Sequence, residues 1–290
     1  MMTRLLLVLL ALAAMPARSG EWSPIKLMSF NIRYGTAGDG ANRWAERRGL
    51  VMDVFGRRDA DVVGLQEALG FQINEITRAH PGYGVIGVGR DDGRVRGEFS
   101  AILYRTERFI VDASGTFWLS DTPGAVASAS WGNRITRVCT WARLIDRSTG
   151  MGLYVFNTHF DHESQVSRER SARLIAGRIG AREHPDPAVL MGDFNAGETN
   201  PAMVYLTDRS AEAGGPGLID TYRAIRPDEE PSGTFNAFRG VADGERIDAI
   251  LVTDGLGVTD AGIDRTDDGG RYPSDHFPVW GVVTLMAGDE

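Results

Sequence analysis

The feature that most constrains this chain is a set of short apolar runs that each end in polar residues able to do chemistry. Val62-Val63-Gly64-Leu65-Gln66-Glu67, Val155-Phe156-Asn157-Thr158-His159 and Ala188-Val189-Leu190-Met191-Gly192-Asp193 all have this form. Runs of this length read as buried strands, and their polar ends as strand lips. Reaction sites collect at such lips in sheets covered by helices.

Further strands are expected at Ile25 to Ile32, Gly84 to Val88, Ser100 to Tyr104, Phe109 to Leu119 and Arg134 to Ile145. The last third adds Arg246 to Val252, Gly257 to Gly262 and Phe277 to Leu285. Helices are expected at Trp44 to Arg58, Phe71 to Ala79, Glu163 to Glu183 and Pro201 to Thr207. The third places Ala172, Ile175, Ala176 and Ile179 at i, i+3, i+4, i+7 spacing. Strands outnumber helices and several follow one another directly, which argues for mixed rather than purely parallel sheets. Two mixed sheets packed together, with helices outside, accommodate this order as one α/β (α+β) domain over residues 21–287. Long loops fall at 89–98, 120–133, 208–217 and 226–245, and loops of that length in a compact domain are more often functional than structural.

Residues 1–19 do not belong to this core. Arg4 precedes the apolar run Leu5 to Ala14, and Ala17 and Ser19 stand at cleavage-site spacing. The run is too short to span a bilayer and has the flanks of a signal peptide. The mature protein is therefore expected to be secreted or periplasmic after cleavage near Ser19, with no stable membrane insertion. Cys139 is the sole cysteine, which excludes an internal disulfide and a thiolate metal cage. The net charge of −8, lower still without Arg4 and Arg18, gives no broad attraction to a polyanion such as long DNA. A small or flexible phosphorylated substrate held by a few local arginines fits better, and no obligate protein partner is inferred.

The lips carry the candidate chemistry. Glu67 offers a hard oxygen suited to Mg²⁺ or Mn²⁺, and Asn31, ending the run Met28-Ser29-Phe30, a neutral one. Asp193 and Asn195 flank Phe194, so on an extended segment they point the same way while Phe194 turns into the core. A carboxylate there can orient and deprotonate water, and the amide can bond a phosphoryl oxygen. His159 and His162 can face one pocket; with no cysteine and no third histidine nearby, zinc is weaker than Mg²⁺ with carboxylates. Asp248 is a charge inside an apolar strand, costly unless paired, and is assigned to His276 of Ser274-Asp275-His276. Ser274 lacks the Gly-x-Ser-x-Gly context of a hydrolase nucleophile.

In this order Asn31, Gln66-Glu67, Asn157-Thr158-His159, Gly192-Asp193-Phe194-Asn195, Ile247-Asp248 and Ser274-Asp275-His276 resemble the endonuclease/exonuclease/phosphatase superfamily. The resemblance covers nearly the whole chain after residue 20. It implies a four-layer α/β sandwich and a Mg²⁺- or Mn²⁺-dependent phosphoester hydrolase, either phosphodiesterase or phosphatase. It further implies Glu67 as the main metal ligand with Asn31 and Asp275 contributing, and Asp193 as the residue that activates water. Asn195 and His159 would hold phosphoryl oxygens, while His276, oriented by Asp248, stabilises charge on the phosphate.

Other segments resemble a secreted bacterial branch: Gly89-Arg90-Asp91-Asp92-Gly93, Gly97-Glu98, Trp118 to Pro123 and Gly233-Thr234-Phe235-Asn236. Several of these segments fall in loops that can rim the site. Arg90 and Arg137 are candidates to contact phosphate, Glu98 to meet a hydroxyl or a cation, and Trp44 and Trp131 to stack on a base or sugar. Glu245-Arg246-Ile247-Asp248 departs from the inositol 5-phosphatase pattern, and the acidic chain lacks the basic surface of apurinic endonucleases. A secreted nuclease remains the nearest alternative, and an inactive phosphoester-binding module the non-enzymatic one.

Overall fold

A computed structural model describes residues 23–210 and 214–285; the expected signal peptide lies outside them. In chain order the elements are β1 (Ile25–Asn31), α1 (Trp44–Arg58), β2 (Val62–Ala68), α2 (Gly70–Ala79), β3 (Tyr83–Ile86), β4 (Phe99–Arg105), β5 (Phe109–Trp118), β6 (Val138–Asp146) and β7 (Gly152–His159). There follow α3 (Gln165–Gly180), β8 (Ala188–Asp193), α4 (Pro201–Thr207), β9 (Ile219–Asp220), α5 (Thr221–Ile225), β10 (Asp248–Val252), β11 (Leu256–Ile263) and β12 (Val279–Leu285). The strands form two six-stranded mixed sheets, ordered β11-β12-β1-β2-β4-β3 and β5-β6-β7-β8-β10-β9.

Each sheet has one parallel pair near its centre, β1 with β2 and β7 with β8. The segment joining each pair contains a helix, α1 in the first and α3 in the second, as a parallel crossover requires. Antiparallel neighbours flank both pairs: β12 and β4 in the first sheet, β6 and β10 in the second. The two halves thus repeat one local topology.

Period-two alternation builds the layers. Ile25 and Leu27 of β1 pack with Val155, Val189, Met191 and Ile250 between the sheets. Met28 and Phe30 pack instead with Val51, Val54 and Phe55 of α1 and Ile73 and Ile76 of α2. Phe156 and Leu190 meet Ala172, Ile175 and Ile179 of α3, with Met203 and Leu206 of α4. The result is the four-layer sandwich expected from the sequence.

Toward the strand ends the inter-sheet layer changes from apolar to polar. Asn157 of the second sheet donates through Nδ2 to the carbonyls of Leu65 (2.9 Å) and Ala101 (2.8 Å) in the first. Its Oδ1 accepts from Gln66 Nε2 at 2.6 Å. Gly64 makes room for this: a Cβ there would stand 2.7 Å from Asn157 Oδ1 and from Met191 Sδ. These buried bonds fix the two sheets relative to each other where the functional side chains emerge.

Element ends shift by a few residues from expectation. The strand expected from Arg134 begins at Val138, because Arg137 turns into an ionic cluster with Asp161 and His162. The short β9 and α5, capped by Asp220 on the Tyr222 amide, were not expected; neither has enough length to show a period.

Candidate active site

Neighbouring strands in the second sheet place three functional residues in one row. His159 ends β7 beside Asp193 of β8, and Asp193 is paired across to Asp248 of β10. Asn195 follows in a left-handed conformation (φ 47°), which an asparagine tolerates better than most residues. Its Nδ2 donates to the Phe160 carbonyl at 3.0 Å, and its N–H to Asp193 Oδ1 at 2.9 Å. Phe194 between them is fully buried, edge-on to Phe160.

The first sheet supplies the opposing wall. The β2–β4 register slips by one residue between Leu65 and Ala68. At this bulge Glu67 takes a φ of 57°. A bulge re-aims one side chain; Gln66 bonds Asn157 in the inter-sheet layer, whereas Glu67 lines the cleft. Asn31 spans the two walls, donating to Glu67 Oε1 at 3.2 Å and Asp193 Oδ2 at 2.9 Å. Its Oδ1 accepts from the Arg33 N–H at 3.0 Å. Asn31 therefore acts here as a donor between carboxylates and does not turn its oxygen to the cleft, as a metal ligand would.

The segment before β12 closes the site. His276 Nδ1 lies 2.9 Å from Asp248 Oδ2, so the pairing expected from the sequence is present. His276 Nε2 is 3.8 Å and His159 Nε2 3.4 Å from Asp193 Oδ2. Ser274 Oγ donates to the Asn31 carbonyl at 2.7 Å, tying this segment to β1 and leaving the serine no nucleophilic role. Phe235 packs edge-on to His276 at 5.2 Å, so the 226–245 loop does rim the site.

The electrostatics separate the two histidines. Burial disfavours the His276 imidazolium, but Asp248 and Asp193 outweigh it and hold its pKa near about 10. For His159, burial together with Arg137 and Arg90 pushes the pKa well below the usual imidazole range, leaving a neutral ring. Burial, with Asp248 adjacent, lifts Asp193 to about 7 in the metal-free protein. A carboxylate with raised proton affinity is a better base toward water than an exposed aspartate.

Among the described residues, two groups of side chains at this site can hold a divalent ion. Glu67 and Asp275 both approach Arg33, at 3.9 Å and 3.6 Å. Their carboxylates thus already share a cation, and their hard oxygens suit Mg²⁺ or Mn²⁺. Ligand atoms of Asp193, Asp248 and His276 lie within 4.8 Å of one another. In that group His276 Nδ1 is engaged by Asp248, so the oxygen-rich pair is the better fit.

Arg33, Glu67, His159, Asp193, Asn195, Asp275 and His276 line one cleft of about 460 Å³, together with Arg90, Glu98, Arg137 and His162, whereas Asn31 and Asp248 do not line it. Two expectations fail. Trp44 is 5% exposed, bonds Glu75 Oε2 at 2.9 Å and packs in the α1 core. Trp131 donates to Asp121 Oδ1 at 2.7 Å and packs against the α3 side. Neither lines the cleft, so neither stacks on a substrate there. Conversely, Arg33 was missed, although it stands only two residues beyond Asn31. It pairs with Asp39 through two bonds of 3.0 and 2.9 Å. Arg47 was also missed; it is buried, donating to the carbonyls of Ile32, Arg33, Asn42 and Pro273, and so braces two site segments.

The sequence model of the Endonuclease/Exonuclease/phosphatase family matches residues 28–276. The chain belongs to this family. An endonuclease/exonuclease/phosphatase from Bacteroides vulgatus shares 33% identity at a TM-score of 0.84, over 91% of this chain and 100% of that one. The mannosyl-6-phosphatase of Bacteroides thetaiotaomicron also shares 33% identity, at a TM-score of 0.80 over 89% and 99%. The human Nocturnin catalytic domain with bound sulfate shares the fold at 20% identity, TM-score 0.71, over 91% and 95%. No curated protein matches the chain. The family's members are phosphoester hydrolases, such as the phosphatase just named, and are generally dependent on a divalent metal ion.

Proposed function

We propose that the chain is a divalent-metal-dependent phosphatase of small phosphomonoesters. The observation that carries this is the convergence on Asp193: Asn31, the Asn195 backbone N–H, His159 and His276 all surround this one buried carboxylate, which lines the cleft. Glu67 and Asp275 would hold the ion, with Asn31 joining through Oδ1 once its amide turns over. When bound, Mg²⁺ or Mn²⁺ would offset negative charge on the phosphoryl and leaving oxygens.

Asp193 positions a water for attack and accepts its proton. The imidazolium of His276, held by Asp248, faces charge growing on the phosphoryl oxygens, and neutral His159 with Asn195 orients them. No covalent intermediate on the protein is required. Likeness to a mannosyl-6-phosphatase favours a monoester, and the cleft volume suits a small one. Stacking aromatics beside local basic patches would favour a nuclease, and neither Trp44 nor Trp131, the candidates to stack on a base or sugar, lines the cleft.

The test is turnover of p-nitrophenyl phosphate and bis-p-nitrophenyl phosphate with Mg²⁺, Mn²⁺ or chelator. A metal-dependent preference for the monoester, lost in Asp193→Asn, is expected; a diester preference would overturn the monoester reading. The same proposal includes export through residues 1–19. Mass spectrometry of the mature protein should find an N-terminus at Gly20, and retention of Met1 in mature protein would rule it out.

A further inference from the structure

One part of the cleft supplies none of the groups that hold the ion, the water or the phosphoryl oxygens in that scheme. Arg90 and Glu98 form a fork on its wall, with Arg90 Nη1 and Nη2 donating to the two Glu98 oxygens at 2.7 and 2.9 Å. Both side chains line the cleft and are largely buried, 13% and 18% exposed. The paired charges cancel, so the fork gives little net attraction to a phosphate. It still has bonding capacity. A guanidinium carries five N–H donors and a carboxylate about four acceptor sites, and the fork consumes only two of each.

The fork is held rigidly. The Arg90 N–H donates to the Glu98 carbonyl at 3.1 Å, and the Trp118 indole donates to the Arg90 carbonyl at 2.8 Å. At the turn between them, Asp92 Oδ1 accepts from the N–H groups of Arg94, Val95 and Arg96 at 2.8, 2.9 and 2.9 Å. Burial raises the Glu98 pKa while Arg90 opposes that rise. Side chains fixed in this way lose little entropy when they bind a ligand.

We propose that the Arg90–Glu98 fork is a specificity element that reads hydroxyl groups on the alcohol part of the substrate, making the preferred substrate a phosphorylated sugar or polyol. A hydroxyl both donates and accepts, so it can give its hydrogen to Glu98 and take one from Arg90. An apolar leaving group would instead cover these polar atoms without replacing their bonds to water. A second phosphate would meet the Glu98 carboxylate. This inference rests on the phosphatase reading, but it concerns the neutral half of the substrate, not the phosphate.

The experiment compares wild type, Glu98→Gln and Arg90→Lys, with metal, on mannose 6-phosphate, glucose 6-phosphate and phenyl phosphate. Wild type should favour a hexose phosphate over phenyl phosphate in kcat/KM. Both variants should cut that ratio by about 30-fold or more, chiefly through KM of the sugar phosphate. A ratio unchanged in both variants, or no sugar preference in wild type, would overturn the proposal. Wild type inert on all three substrates with metal would count against the phosphatase reading itself. Calorimetric binding of sorbitol 6-phosphate against phenyl phosphate to the same three proteins then decides the fork separately. A sorbitol phosphate preference that the variants lose supports it, and equal binding sinks it.

Discussion

The two sheets repeat one topology, a central parallel pair joined across a helix and flanked by antiparallel strands, yet they present opposite chemistry at their edges. The second sheet sets His159, Asp193 and Asp248 in regular register on three adjacent strands. The first presents Glu67 only by breaking its register at a bulge, with Glu67 in a left-handed conformation. Regular pairing suits groups that must share protons at close, fixed distances. An irregular edge suits carboxylates that must turn outward to surround an ion. The same scaffold thus provides a base on one side and an acidic cradle on the other, and Asn31 joins the two.

If this division is right, substitutions on the two sides should fail differently. The largest effect is expected for Asp193→Asn, about 10³- to 10⁴-fold in kcat, with no rescue by added metal. Its stability should move the other way. The Asp193 pKa is raised to about 7, so its folded form binds more protons than the unfolded chain between about pH 4 and 7. Stability is therefore lost as pH rises through that window, and the cost is complete above it. Thermal melts of metal-free Asp193→Asn at pH 8 should match or exceed wild type; a lower melting temperature would show that the carboxylate supports the fold.

Next comes Asp248→Asn, with an expected loss of about 10²- to 10³-fold in kcat. The His276 pKa, near about 10 in the metal-free protein, should fall toward its ordinary value. This raised pKa contributes stability that is complete below about pH 6.5 and disappears as pH rises through about 10. NMR titration of the ring in metal-free protein checks both points. An unshifted His276 in the variant would assign its charge to Asp193 instead.

On the other sheet, Glu67→Gln is expected to weaken Mn²⁺ binding by about 10- to 100-fold, with activity recovering at higher metal concentration. Spin-resonance titration of free Mn²⁺ measures the affinity directly. Unchanged Mn²⁺ affinity, with activity lost, would move the ion to the Asp193, Asp248 and His276 group.

The smallest effect concerns the contact between the halves. Gly64→Ala pushes a methyl against Asn157 and Met191 and should cost about 1–3 kcal/mol in urea unfolding. Activity of the folded fraction should fall modestly, because both walls shift together. A neutral result would mean that the Asn157 bridge does not set the sheet spacing.

Much of this was legible in the chain. The runs ending at Glu67, His159 and Asp193 are buried strands whose lips meet, because strand burial shows as local apolar density. Asp248 could be matched to His276 because a charge inside an apolar strand demands a partner. The tryptophans were misread, since an aromatic near a loop has the same sequence signature whether it faces a cleft or a helix core. Arg33 and Arg47 were passed over because an arginine reads as surface until its carbonyl or carboxylate partners are known.

The sequence by itself determined the kinds of element, their order, the polar strand ends and the family. Those follow from periodicity and residue chemistry, which are local. Only the tertiary structure decided that Asn31 meets Asp193, that Arg33 lies between Glu67 and Asp275, and that Arg90 and Glu98 close into a neutral fork. These depend on sheet stacking, a one-residue register slip and loop closure, which bring together residues 162 positions apart in the Asn31–Asp193 pair and farther still in the Arg33–Asp275 pair.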